Sequence, residues 1–187
     1  PTVWGMEEEY ICAPALDDLE CAWSCTQGFL NSGENSVIPV LCVFDSEEVG
    51  SNSVQGAAST ILSDTLVRIS EALGLDLRQE LSRSFLVSAD NAHAIHPNHP
   101  EYADPNNAPI MGQGVVLKFN ANQRYTTDAI SDGIFTTLAE RAGAKLQKFS
   151  NRADMVGGST LGSISNTRVS VSTVDIGLPQ LAMHSAT

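Results

Sequence analysis

The chain has 187 residues, 42% of them hydrophobic, and a formal net charge of −12 at pH 7. That length and apolar content suffice for one globular domain with a proper core. So large an acidic excess excludes nucleic acid and anionic membrane as expected partners, and no apolar run approaches the ~20 residues of a membrane span.

Residues 1–16 read as extended. They lack an initiator Met and resemble no signal peptide, so a fragment or a processed piece is expected. Asp17 and Asp18 open a helix running to about Leu30, where aspartate is an ordinary capping residue. After a turn over 31–36 comes Val37-Ile-Pro-Val-Leu-Cys-Val-Phe44, an apolar, β-rich run that reads as a buried strand. Pro39 is tolerable near its start. The strand leads straight into Asp45-Ser-Glu-Glu48, and ligands of open α/β sheets bind beyond the carboxyl ends of strands. If the chain is still extended there, Glu47 and Glu48 point to opposite sides. One could then ligate a metal while the other handles a proton; the competing reading is a solvated acidic loop tip.

A helix follows over 60–73, stopped by Gly74. A short helical piece at 75–81 leads to a second core strand, 84–89, which ends at Asp90. Residues 91–112 hold His93, His96 and His99 among four prolines and form a long loop. The prolines break any helix that would align these imidazoles, so ordinary loop histidines are expected. A strand over 115–119 carries one charge, Lys118. The helix over 128–142 shows Ile130, Ile134 and Leu138 on one face. After a short strand at 146–149, Asp154-Met-Val-Gly-Gly-Ser-Thr-Leu-Gly162 is a glycine-rich turn without the Lys of a P-loop. Its glycines, Gly158 among them, either admit close backbone approach of a ligand or are plain turn residues. The last strand is 169–176, followed by a turn and His184. Cys12, Cys21, Cys25 and Cys42 form no CxxC pair and read as buried free thiols in a reducing, cytoplasmic setting.

Asp17, Glu47, Glu48, Asp90 and His184 each stand where an apolar segment starts or ends. Zinc accepts mixed carboxylate and imidazole ligands. Two neighbouring cations are served by a shared carboxylate, with a separate base for the attacking water. Carboxylates at element ends are also common by coincidence.

At these residues the chain resembles the aspartyl aminopeptidase family of dinuclear-zinc exopeptidases. The matching blocks are Ala13-Pro-Ala-Leu-Asp-Asp-Leu19, Phe44-Asp-Ser-Glu-Glu-Val-Gly-Ser51 and Ser88-Ala-Asp-Asn-Ala-His93. Lys118-Phe-Asn-Ala-Asn-Gln-Arg-Tyr125, Gly158-Ser-Thr-Leu-Gly162 and Leu178-Pro-Gln-Leu-Ala-Met-His-Ser185 continue them in the family's order. The resemblance implies one catalytic domain over 1–187, an α/β fold of three layers (α/β/α) with a mixed sheet, similar to zinc exopeptidases. It implies a homo-oligomer that removes N-terminal Asp or Glu from a peptide substrate. By the same resemblance Asp17 bridges two zinc ions, Glu48 and His184 complete one site, Asp90 joins Asp17 at the other, and Glu47 is the general base. Lys118 resembles the cation that pairs with the substrate's acidic side chain, against the alternative of a solvated strand-edge lysine. Gly158 falls in the block expected at the substrate, and His93 is expected to orient a ligand by hydrogen bond. Asp18 stays a helix-start residue. The family's second site also uses an upstream His, and its dimerisation domain lies upstream too. The family chain also continues past His184, so a complete two-ion site is not expected from this chain alone. The alternative reading is a non-catalytic fragment or binding domain that keeps the fold and at most one weak metal site.

Overall fold

A computed structural model describes residues 1–33, 36–181, 183 and 184. Glu34 and Asn35 of the expected turn, and Ala182 and Ser185 of the last matching block, lie outside these. The chain enters through an antiparallel pair, β1 (Thr2–Trp4) and β2 (Tyr10–Cys12), then helix α1 (Leu16–Leu30). Helices α2 (Ile61–Leu73) and α3 (Leu77–Leu81) follow, and Gly74 ends α2 in the left-handed conformation, φ 68°, as its position required. The remaining elements are β3 (Phe85–Ala89), β4 (Ala92–His93), β5 (Val115–Phe119), α4 (Ala129–Ala142), β6 (Leu146–Ser150), α5 (Leu161–Asn166), β7 (Ser172–Gly177) and β8 (Pro179–Gln180).

The central sheet has the order β3-β7-β5-β6; β3 runs parallel to β7, β5 parallel to β6, and β5 antiparallel to β7. This is the mixed α/β architecture with a mixed sheet. The core lies along β5 and β7, where Val116, Leu117 and Val174 are fully buried. Helices α4 and α5 pack on β7, and α1 packs on β3. Beyond the sheet the β3 and β7 segments stay side by side. The Asp90 amide donates to Ile176 O, that of Ala92 to Leu178 O, and that of Ala94 to Gln180 O. Asp90 therefore sits at a break in a paired ladder, held by backbone on both sides.

Two expectations are corrected, and one helix is new. The apolar run 37–44 is extended but pairs with no strand among the described residues, and Val37, Ile38, Val40, Cys42 and Val43 are exposed. β-rich composition reports fitness for a pleated, half-buried surface, whereas a strand needs an edge to pair with. Here β3 and β6 hold the two edges of the sheet. On α4, Ile130, Ile134 and Leu138 are exposed, and the buried positions are Ser131 and Ala139. Small side chains let that helix approach β7 closely. Helix α5 is absent from the sequence reading because six residues, Leu-Gly-Ser-Ile-Ser-Asn, are too few to show a period.

Candidate metal centre

Four separate segments meet at one rim of the sheet. Asp17 and Asp18 stand in the first turn of α1 with non-helical backbone angles, and the helix has no side-chain cap. The expected capping role is therefore not the one these aspartates fill. Glu47 and Glu48 lie in a single 3₁₀ turn, Glu47–Val49, not in an extended strand end. Side chains still diverge there, because 3₁₀ neighbours are about a third of a turn apart. The turn is fixed from within: the Gly50 amide donates to Glu47 O and the Ser51 amide to Ser46 O. Gly56 packs so closely that an added Cβ would lie 2.1 Å from Ser51 O.

His184 brings the first two segments together. Its Nε2 lies 2.8 Å from Glu48 Oε2 and 3.2 Å from Asp17 Oδ2. One ligand atom from each of Asp17, Glu48 and His184 falls within 4.8 Å of the others, and the same holds for Asp17, Asp18 and Asp90. The two groups share Asp17. Asp18, read from sequence only as a helix start, thus stands beside Asp90.

Crowded carboxylates raise one another's pKa. Asp18 is pushed up to about 7, first by burial and then by Asp90. Burial, followed by Asp90, also lifts Glu47 to about 7. Asp17 is raised by burial and by its hydrogen bond with Glu48. Asp90 is raised by burial, with Lys118 opposing the shift. A cation would relieve this repulsion, and a set of carboxylate oxygens with one imidazole suits zinc. The residues present therefore fit such an ion.

Lys118 is not a solvated strand-edge lysine. It sits on an interior strand, 2% exposed, with Nζ donating to Asn91 O at 2.6 Å. The same atom lies 3.6 Å from Asp90 Oδ2 and 5.5 Å from the Tyr125 ring centroid. His93 is accessible at its edge, yet the surrounding protein lowers its pKa, with Lys118 and His184 adding to the effect. Gly158 is exposed, and a Cβ there would meet nothing within 4 Å. No described contact joins it to the acidic cluster. The glycine that needs its lack of side chain is Gly162, whose added Cβ would come within 2.5 Å of Ser88 Oγ and 2.6 Å of Asp175 Oδ1.

Sequence reasoning did not single out Asn91 or Asp175. Asp175 is fully buried on β7 and accepts from the Thr126 hydroxyl at 2.6 Å and the Thr160 hydroxyl at 2.8 Å. The only available signal was an acidic residue inside an apolar strand. The cysteines are free, but the expectation of buried thiols holds for Cys21 alone: Cys12 and Cys25 are half-buried and Cys42, on the unpaired run 37–44, is exposed.

A mixed α/β sheet with carboxylates and an imidazole from four segments gathered at one rim defines the class of the chain: an α/β domain whose rim residues could hold a cation. The chain belongs to the M18 peptidase family: the model for "Aminopeptidase I zinc metalloprotease (M18)" matches residues 1–187. It is 43% identical to "Probable M18 family aminopeptidase 2" of Clostridium novyi over 98% of this chain and 43% of the relative. To "Probable aspartyl aminopeptidase" of Ricinus communis it is 40% identical, over 97% of this chain and 39% of that one. Among solved structures, a chain of the S. cerevisiae mApe1 dodecamer superposes with a TM-score of 0.86 at 30% identity, covering 98% of this chain and 42% of that chain. The chain thus spans less than half the length of these relatives.

Proposed function

We propose that this chain is the metal-bearing part of a zinc-dependent aminopeptidase that removes N-terminal Asp or Glu from peptides. The observation that carries the reading is the meeting of His184 with Glu48 and Asp17, at 2.8 and 3.2 Å, from segments far apart in sequence. Asp17, Glu48 and His184 would hold one zinc ion; Asp17 and Asp90 would contribute to a second. Zinc, when bound, supplies a Lewis acid that lowers the pKa of a water and polarises the scissile carbonyl. Glu47 neighbours these groups without being part of either ligand cluster. A half-desolvated carboxylate there is suited to take the proton of the attacking water and return it to the leaving amine. Lys118 is the cation in the wall of the site, and the acidic preference rests on it and on the castor-bean relative's name. His93, which feels the charges of Lys118 and His184, would orient a ligand by hydrogen bond. The dodecameric yeast relative supports a homo-oligomer. The free thiols support a reducing, cytoplasmic location.

The test is Glu47→Gln in the full natural chain. We expect hydrolysis of acidic peptides to fall by roughly 10²–10⁴-fold with zinc content unchanged. Undiminished hydrolysis would take the base role from Glu47.

A binding domain with one weak metal site is the second reading, favoured by one observation. The Asp17, Asp18 and Asp90 group contains no imidazole among the described residues. Zinc stoichiometry by elemental analysis, measured beside peptidase activity, separates the two.

A further inference from the structure

The buried side chain at Asn91 ties helix α1 to β8 beside the site. Its Nδ2 donates towards Leu16 O at 3.1 Å, Glu20 Oε1 at 2.8 Å and Gln180 Oε1 at 2.8 Å. Leu16 O and the Glu20 carboxylate only accept, which fixes the amide's orientation. Its Oδ1 accepts from the Cys21 thiol at 2.9 Å, and its main-chain oxygen accepts from Lys118 Nζ at 2.6 Å. Burial pushes the Cys21 thiol pKa upward and so keeps the proton on sulfur. The residue is only 3% exposed.

Each partner adjoins the site. Leu16 immediately precedes Asp17, Glu20 lies one turn further along α1, and Asn91 itself follows Asp90. Gln180 pairs with His93 in β4–β8, four residues before His184. From this geometry we infer that Asn91 is the positioning residue of the metal centre: one amide sets the spacing between the segments that carry Asp17, Asp90 and His184. The inference rests on the metal reading of the site given above.

The chemistry predicts an asymmetry between substitutions. Asn91→Asp keeps the acceptor facing Cys21 but turns the two donor hydrogens into an anionic oxygen facing Leu16 O, Glu20 and Gln180. Adding Glu20→Gln returns a donor to that contact. The experiment measures zinc affinity by chelator competition and the absorption spectrum of the cobalt-substituted site, well below the unfolding midpoint. It compares the full natural chain with Asn91→Asp, Asn91→Ser and Asn91→Asp combined with Glu20→Gln. Orienting groups of this kind are worth about 10–100-fold in metal affinity. We expect a loss in that range for Asn91→Asp with an altered cobalt spectrum, a smaller loss for Asn91→Ser, and recovery of most of the affinity in the double variant. Should Asn91→Asp not fold, the uncharged Asn91→Ser carries the same comparison. Zinc affinities within twofold of the parent, with an unchanged cobalt spectrum, would overturn the positioning role. A parent chain that binds no zinc would instead overturn the metal reading.

Discussion

Lys118 and Glu47 carry opposite charges into the same crowded rim, and each poses a separate question about selectivity. A buried lysine committed to Asn91 O and lying beside Asp90 must give up part of that bonding to reach a substrate carboxylate. If it does so, Lys118→Met should cost about 2 kcal/mol on Asp-peptides, roughly 30-fold in kcat/KM, and much less on Ala-peptides. An equal loss on both substrates would make Lys118 a structural support of Asp90 alone. Gly162 offers a simpler steric test. Gly162→Ala drives a methyl group against Ser88 Oγ and Asp175 Oδ1, both at buried strand positions. Overpacking of this kind costs about 1–3 kcal/mol, read as a lowered midpoint in urea. The candidate ligands were nominated by the resemblance of their motif blocks, since carboxylates at element ends are common on spacing alone. Asn91 was not, since an asparagine after a strand is an ordinary turn residue until its partners are known.

Helix α4 shows what a single element owes to local chemistry. Asp128 accepts from the Ile130 and Ser131 amides, and Ser131 Oγ in turn accepts from the Asp128 amide, a complete capping box. Asp128→Ala should therefore destabilise the fold by about 1 kcal/mol. Those hydrogen bonds hold the Asp128 pKa below the usual range, Ser131's amide foremost. A depressed carboxylate contributes stability that is complete above its unfolded pKa and is lost as pH falls through the folded one. The difference in Tm between wild type and Asp128→Ala should accordingly shrink on acidification below about pH 4. A difference that persists at low pH would mean the cap acts without its charge. Helices α1 to α4 and four of the strands were readable for the same reason: capping and periodicity act within one turn or one pleat. The segment 37–44 was misread because its state depends on whether an edge lies beside it, which no local pattern encodes.

For the whole molecule, the acidic rim couples folding to protons and cations. Asp18 and Glu47 are pushed up to about 7, and burial raises Asp17, Glu20 and Asp90. A carboxylate whose folded pKa exceeds its unfolded one makes the native state the better proton binder between the two values. Stability of the metal-free protein should therefore fall as pH rises from about 5 to 7.5, and saturating zinc should abolish or reverse that slope. A metal-free Tm that is flat over this window would show that the carboxylates are not crowded in solution. Sequence determined the mixed α/β class, because strand and helix patterns are short-range, and its motif blocks nominated the candidate carboxylates through their resemblance to a family. Tertiary structure decided which aspartates face one another, that Lys118 is buried on an interior strand, and that β7 lies between β3 and β5. Those outcomes depend on contacts between residues far apart along the chain, whose spacing only the closed sheet sets.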